Sequence, residues 1–310
     1  MSNTAARVLY FGYGDLGLRC LNALIEAGVE IVGIIARASD RQSTGDSQSL
    51  YSHSLRAGLS SFPNNNPGDE TFIEHATALR PDYLISIQYD RILTPALLAV
   101  AQQGGLNLHF SPLPRLRGCF PTKWAIINNE ESGVTLHRLE RGIDDGPIID
   151  QIPFPLRPNE TDASLYAALQ QEGYELFQRN VQAIAKMQVD EGENQLESSA
   201  SYYPKVLPHD GKIDWCWSAV RIERFVRAFT HPPHPAAQTT LGDKVAEIAA
   251  PIRILNQKSE GLPGAAHLNN EGCLVVATGS ENITVDNLLL DGERVQPSAA
   301  LTNLTSARFR

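Results

Sequence analysis

Two polar residues at the end of a short apolar run are the first candidates for chemistry. In Gly105–His109, leucines alternate with Asn107 and His109, and strand periodicity puts those two side chains on one side of the chain. An amide beside a neutral imidazole offers two hydrogen-bond donors that can converge on a single oxygen, as a developing oxyanion requires. The same pair can equally do no more than cap a strand end. Behind it runs Phe110-Ser111-Pro112-Leu113-Pro114-Arg115-Leu116-Arg117-Gly118, a loop built from turn formers and bases. A second segment reads as strand, acidic turn and strand: Gly133–Leu139, then Glu140-Arg141-Gly142-Ile143-Asp144-Asp145-Gly146, then Ile148–Pro153. Its two adjacent carboxylates suit a site, although Asp and Gly also populate plain hairpin loops.

These residues need a scaffold, and the surrounding pattern describes one. Arg7–Phe11 and the apolar Glu30–Ile35 read as buried parallel strands, as do Asp82–Ile87 and Gly105–His109. Between them lie helical stretches: one with Leu16, Cys20, Leu21, Leu24 and Ile25 on one face, then Thr71–Leu79 and Pro95–Gln102. Residues 36–68 are polar and read as a long loop. Strands alternating with helices imply βαβ units, whose sites form at the C-terminal strand ends. Thr161 then suits the N-cap of a long helix striped with Leu165, Leu169, Phe177, Val181 and Ile184. A polar linker over residues 187–212 and a short helix over Val220–Phe229 follow. Turn signals at Gly242-Asp243, Gly272 and Gly279-Ser280 punctuate the rest as a small β-barrel or meander. The expected fold class is therefore α/β: a Rossmann-like, mostly parallel sheet over residues 1–190, then a smaller barrel-like β domain over 205–310.

Several functions are disfavoured. The 310 residues carry 26 bases against 35 acids, a net charge of −9, a poor match for gripping a phosphate backbone. Neither a signal peptide nor a long apolar span is read, and the four separated cysteines form no C-x-x-C pair, so a cytoplasmic protein without a metal site or membrane partner is expected. Walker, G-x-S-x-G and H-E-x-x-H motifs are missing. Gly12-x-Gly14-x-x-Gly17 follows a strand, but Ile34-Ile35-Ala36-Arg37 ends the next one without the acid that binds a ribose, which favours a tight turn over a dinucleotide site. His231 and His234 sit among prolines and read as a stiff loop. Cys119 reads as a small packing residue before a nucleophile.

Together the two segments resemble the 10-formyltetrahydrofolate-dependent formyltransferase family, whose pattern N-x-H-x-S-x-L-P-x-x-R-G is followed by a strand and D-x-G. Here it runs from Asn107 to Gly146. Phe11–Gly17, Pro81–Leu93, Lys212-Ile213-Asp214-Trp215 and Arg227-Ala228-Phe229 also look like family elements, so the likeness covers residues 7–290. It departs at Pro112-Leu113-Pro114 and at 118–123, the loop that borders the acceptor in relatives. The resemblance implies formyl transfer from 10-formyltetrahydrofolate to a primary amine, with Asn107, His109 and Asp144 catalytic. It implies folate contacts from Gln88, Tyr89, Arg91, Ile92, Leu139 and Gly142. Tyr13, Ser111, Arg115, Arg117 and Lys123 are the expected acceptor contacts, the three bases facing a diphosphate.

Phe11–Gly17 and Val134–Arg138 look nearest to the formyltransferase of the aminoarabinose lipid A pathway and its sugar-modifying cousins. The stretch Ala36–Phe62 has three arginines and no lysine, unlike the basic loop of tRNA-modifying relatives. The expected acceptor is thus a nucleotide-linked amino sugar and not a nucleic acid. Methionyl-tRNA, a non-nucleotide amine, hydrolysis of formyltetrahydrofolate and folate binding without catalysis are the alternatives, and a homodimer is compatible with all of them.

Overall fold

The computed structural model describes residues 5–38, 40, 49–58, 66–230, 234–296, 299 and 307–310. Two compact units emerge. The first takes in the chain up to Gly118 together with Ser132–Phe154 and Ala168–Tyr202; the second takes in Cys119–Glu131, Pro155–Ala167 and Tyr203–Arg310.

In chain order the first elements are β1 (Arg7–Gly12), α1 (Gly14–Glu26), β2 (Glu30–Ala36), α2 (Leu50–Arg56), α3 (Glu70–Leu79), β3 (Tyr83–Ile87), α4 (Pro95–Leu98), β4 (Gly105–His109) and the two-residue β5 (Arg117–Gly118). Next come α5 (Pro121–Asn128), β6 (Ser132–Leu139), β7 (Ile148–Phe154), α6 (Asp162–Ala185), β8 (Tyr202–Tyr203) and α7 (Ala219–Arg227). The remainder is β9 (Ala237–Leu241), β10 (Lys244–Lys258), β11 (Ala265–Leu268), β12 (Leu274–Val276), β13 (Glu281–Leu290), β14 (Glu293–Val295) and β15 (Ala307–Arg308).

The first unit is an α/β sheet in the order β2-β1-β3-β4-β6-β7. β1 pairs in parallel with β2 and β3, and β3 with β4; β6 and β7 add antiparallel. The parallel strands are largely apolar because helices cover the sheet: every residue of β3 is buried, and α1 buries Leu16, Cys20, Leu21 and Leu24. The glycine-rich turn after β1 is a packing device. Gly14 has φ +66, and a Cβ on Gly17 would lie 3.6 Å from the Gly12 backbone, so helix and strand meet closely.

Two elements of the first unit differ from expectation. The helix expected over Pro95–Gln102 stops at Leu98, because Gln102 and Gln103 donate backbone hydrogen bonds to Pro81 O and Asp82 O (3.3 and 2.8 Å), and Gly104 turns the chain into β4 at φ +78. The polar stretch after β2 contains α2, N-capped by the Ser49 side chain accepting from Ser52 N; residues 39, 41–48 and 59–65 of that expected loop lie outside the described residues, as does His231.

The second unit carries a seven-stranded sheet, β15-β11-β12-β13-β10-β9 with β14 on β13. β10 is one strand of 15 residues where short strands are expected. It is bent by a bulge between Ala249 and Ile252, where Pro251 has no N–H to contribute. The last residues join the two ends of the strand series. Ala265 pairs with Arg308, Leu241 bridges Phe309, and Thr240 and Arg310 exchange backbone hydrogen bonds of 2.9 and 3.0 Å. That closure makes the sheet barrel-like, and α7 buries Ile222, Phe225 and Val226.

Candidate active site

Asn107 and His109 project from the last residues of β4, at the C-terminal end of the parallel strands where open α/β sheets place their sites. β6 runs antiparallel alongside, with Asn107 opposite His137 and His109 opposite Thr135. Asp144 lies in the turn that leaves β6, at φ +54, a left-handed conformation that Asp tolerates better than most residues. Its Oδ2 accepts a hydrogen bond from Gly118 N (2.8 Å) and stands 3.6 Å from His109 Nδ1. Its Oδ1 stands 3.6 Å from His137 Nε2. The Gln195 amide donates to Asp144 O and Gly146 O (2.8 and 2.7 Å), pinning the turn. The neighbouring Asp145 packs its carboxylate over Gly142, into the space a Cβ would need. Asp144, and not Asp145, is therefore the carboxylate between the two imidazoles.

The loop after β4 is held from inside. Ser111 is fully buried; its Oγ donates to Arg115 O (2.8 Å) and its carbonyl accepts from Thr135 Oγ1 (2.6 Å). Leu116, at φ +60, turns its carbonyl to His109 Nε2 at 3.0 Å. A carbonyl only accepts, so Nε2 carries a proton, and in the neutral ring Nδ1 is a bare nitrogen facing Asp144. His137 is completely buried, and that burial lowers its pKa from 6.5 to about 4 despite the carboxylate of Asp144 nearby.

Residues 6–181 match the family described as formyl transferase, and residues 205–304 match the formyl transferase C-terminal domain. The chain belongs to the formyl transferase family. Among its relatives, the bifunctional polymyxin resistance protein ArnA of Wigglesworthia glossinidia brevipalpis is 33% identical over 240 residues. That match covers 77% of this chain and 36% of ArnA, so this chain spans about a third of the length of that relative. Among solved structures, an N-formyltransferase from Helicobacter canadensis, in complex with folinic acid and dTDP-3-aminofucose, superposes with a TM-score of 0.69 at 23% identity, covering 94% of this chain and all (100%) of the other. WlaRD, a sugar 3N-formyl transferase solved with dTDP and 5-N-formyl-THF, gives 0.67 at 22%, covering 90% and 97%. HypX from Aquifex aeolicus in complex with tetrahydrofolic acid gives 0.63 at 18%, covering 96% and 47%. At these identities the structural likeness establishes the fold.

Within this formyl transferase fold the expected folate residues collect near the ends of β1, β3 and β6. Gln88, at φ +58, opens the loop after β3; the Tyr89 ring meets Phe11 edge-on at 5.4 Å, Arg91 follows, and Ile92 is 66% exposed. Leu139 packs against the core beside Phe11 and Leu84, and Gly142 underlies Asp145. Tyr13 follows β1, with the Arg37 guanidinium 4.6 Å over its ring; Arg37 also faces Asp90 at 3.8 Å.

The expected acceptor cations fare unevenly. Arg117 is buried, with Nε donating to Gln195 Oε1 (3.0 Å) and Nη1 paired to Glu197 (3.0 Å). Lys123 belongs to the second unit and is 2% exposed. Its ammonium donates to Asp162 Oδ2 (2.7 Å) and Ala228 O (2.9 Å). Arg117 thus pairs with the largely exposed Glu197 and leaves its Nη2 without a hydrogen bond among the described residues, whereas Lys123 is committed to partners inside the protein, which corrects its expected role as a diphosphate contact. Ser111 is corrected likewise: it orders the loop from within. Sequence reasoning missed His137, Gln195, the Leu116 carbonyl and the Gly118 amide. Only His137 left a signal, as a polar residue two positions from Thr135 and so on the same face of β6.

Among the described residues, no helix is long and apolar enough to cross a membrane, and no cluster of three or more His, Cys, Asp or Glu could hold a metal ion.

Proposed function

We propose that this chain transfers the formyl group of 10-formyltetrahydrofolate to the primary amine of a nucleotide-linked amino sugar. One observation carries the reading: Asp144 lies within 3.6 Å of His109 at the strand end that also bears Asn107, inside a formyl transferase domain. The neutral amine attacks the formyl carbon, and the carbonyl oxygen becomes an oxyanion. We assign its first donor to the Asn107 amide, because the single N–H of neutral His109 is taken by Leu116 O. A preorganised donor of this kind is worth about 3–4 kcal/mol in the transition state. As the new C–N bond forms, the amine sheds a proton to His109 Nδ1, and Asp144 stabilises the resulting imidazolium. Collapse of the intermediate breaks the bond from the formyl carbon to N10 of the folate. The proton then passes from His109 to N10, leaving tetrahydrofolate and the formamide.

Folate contacts are assigned to Gln88, Tyr89, Arg91, Ile92, Leu139 and Gly142, with Tyr13 and Arg115 on the acceptor. The sugar acceptor is supported by the relatives solved with dTDP-3-aminofucose and with dTDP, and by a net charge of −9, which disfavours a polyanion such as tRNA. The test is tetrahydrofolate release with 10-formyltetrahydrofolate and a panel of nucleotide amino sugars, against charged initiator tRNA, a hydroxyornithine and water alone. Amine-dependent release with at least one sugar is expected. Transfer to tRNA with silence across the panel would replace the sugar by tRNA, and release into water alone would make the chain a hydrolase.

A further inference from the structure

His137 lies outside the Asn, His and Asp set, yet it is the side chain that set is built around. It is completely buried on β6, directly opposite Asn107. Its Nδ1 is 2.8 Å from the carbonyl of Arg138, so Nδ1 must be the protonated nitrogen. Its Nε2 is 3.1 Å from Asn107 Nδ2. With Nδ1 protonated in a neutral ring, Nε2 is a lone pair and only an amide N–H can face it. We propose that His137 is a positioning residue for formyl transfer, locking the Asn107 carboxamide in one orientation with its second N–H and its carbonyl left to the substrates.

The opposite amide orientation would turn Asn107 Oδ1 towards Nε2 and require a proton there. The ring would then be a buried imidazolium, which its environment resists: burial holds the pKa to about 4, with Asp144 pulling it up and the His109 ring, 6.4 Å away and edge-on, pushing it down. Arg138 O and the Asp145 carboxylate, both of which raise it, complete the groups that act on it. Neutrality has a second effect. Nε2 is 3.6 Å from Asp144 Oδ1, and a charged His137 would share that carboxylate with His109. A neutral one leaves the negative charge to His109, which needs it when the amine gives up its proton. A hydrophobic side chain of similar size would fill the space but let the amide rotate; glutamine would still offer an acceptor oxygen.

The inference rests on the formyl-transfer reading, so its test has one arm independent of turnover. In protein with 15N-labelled histidine, the His137 imidazole is expected to show a protonated Nδ1 and a bare Nε2, unchanged from pH 8 to 5.5. A protonated Nε2, or titration near pH 6.5, would overturn the proposal whatever the enzyme does. In the kinetic arm, His137→Leu is expected to lower kcat 30- to 100-fold with KM for the folate within threefold, and His137→Gln to recover at least a third of the wild-type kcat. Near-wild-type kcat in a folded His137→Leu would overturn it, and so would a Gln variant as slow as Leu. If wild-type protein formylates no amine, the functional reading fails while the labelling result still decides the tautomer.

Discussion

Asp144 and His109 should be the most sensitive positions for chemistry and among the least sensitive for folding. His109→Ala and Asp144→Asn are expected to lower turnover by about two orders of magnitude or more; Asn tolerates the left-handed backbone at 144, so the fold should survive. Folate affinity should stay within about tenfold, as the ring system is assigned to other residues. Turnover near wild type in His109→Ala would remove that residue from the proposed chemistry. His137 should instead write itself into the pH dependence of stability. Burial lowers its pKa from 6.5 to about 4, so between those values the unfolded chain binds a proton that the folded chain refuses. Its contribution is fully present above pH 6.5 and is lost as the pH falls towards 4, up to about 3 kcal/mol. Urea midpoints for wild type and His137→Gln should therefore converge on acidification, and parallel midpoints would show that His137 is not held neutral. Asn107 and His109 were legible because they are two residues apart on one strand. His137 was not, because its meaning comes from a neighbouring strand running the other way.

At the scale of elements, the starts of α5 and α6 hold a buried ion pair. Lys123 and Asp162 are 2% and 3% exposed and 2.7 Å apart, with the Phe229 ring 4.9 Å from the ammonium. Breaking such a pair from one side strands a buried charge, so Lys123→Ala should destabilise by about 3–5 kcal/mol. Lys123→Met combined with Asp162→Leu should recover much of that loss in urea unfolding. A single mutant within 1 kcal/mol of wild type, on the scale of an exposed pair at about that value, would contradict the burial. From sequence, Lys123 read as a cation awaiting a phosphate, since it follows Arg115 and Arg117 closely and its acid lies 39 residues away. The glycine-rich turn was legible for the opposite reason: its function is local. That packed turn, without an acid where β2 ends, predicts that NAD and NADP bind weakly; a dissociation constant in the low micromolar range by titration calorimetry would refute this.

Across the whole molecule, the change from helix-spaced to strand-spaced patterning after α7 announced two different kinds of sheet, but not the length of β10, which runs on through Pro251, a residue that cannot donate to a ladder. Nor did it announce what finishes the second sheet. Phe309, 1% exposed, stacks on Trp215 at 5.4 Å, while the backbone of Arg310 bonds to Thr240 on one side and Arg308 pairs with Ala265 on the other. Four residues thus act as a clasp, and a clasp sets the risk of self-association. Cutting 307–310 would leave β9 and β11 with unpaired N–H and C=O groups facing outward, each a template for a strand from another molecule. The truncated protein should elute as concentration-dependent oligomers on size exclusion where the intact chain gives one stable species. A truncation that behaves like the intact chain would mean the barrel holds without its clasp.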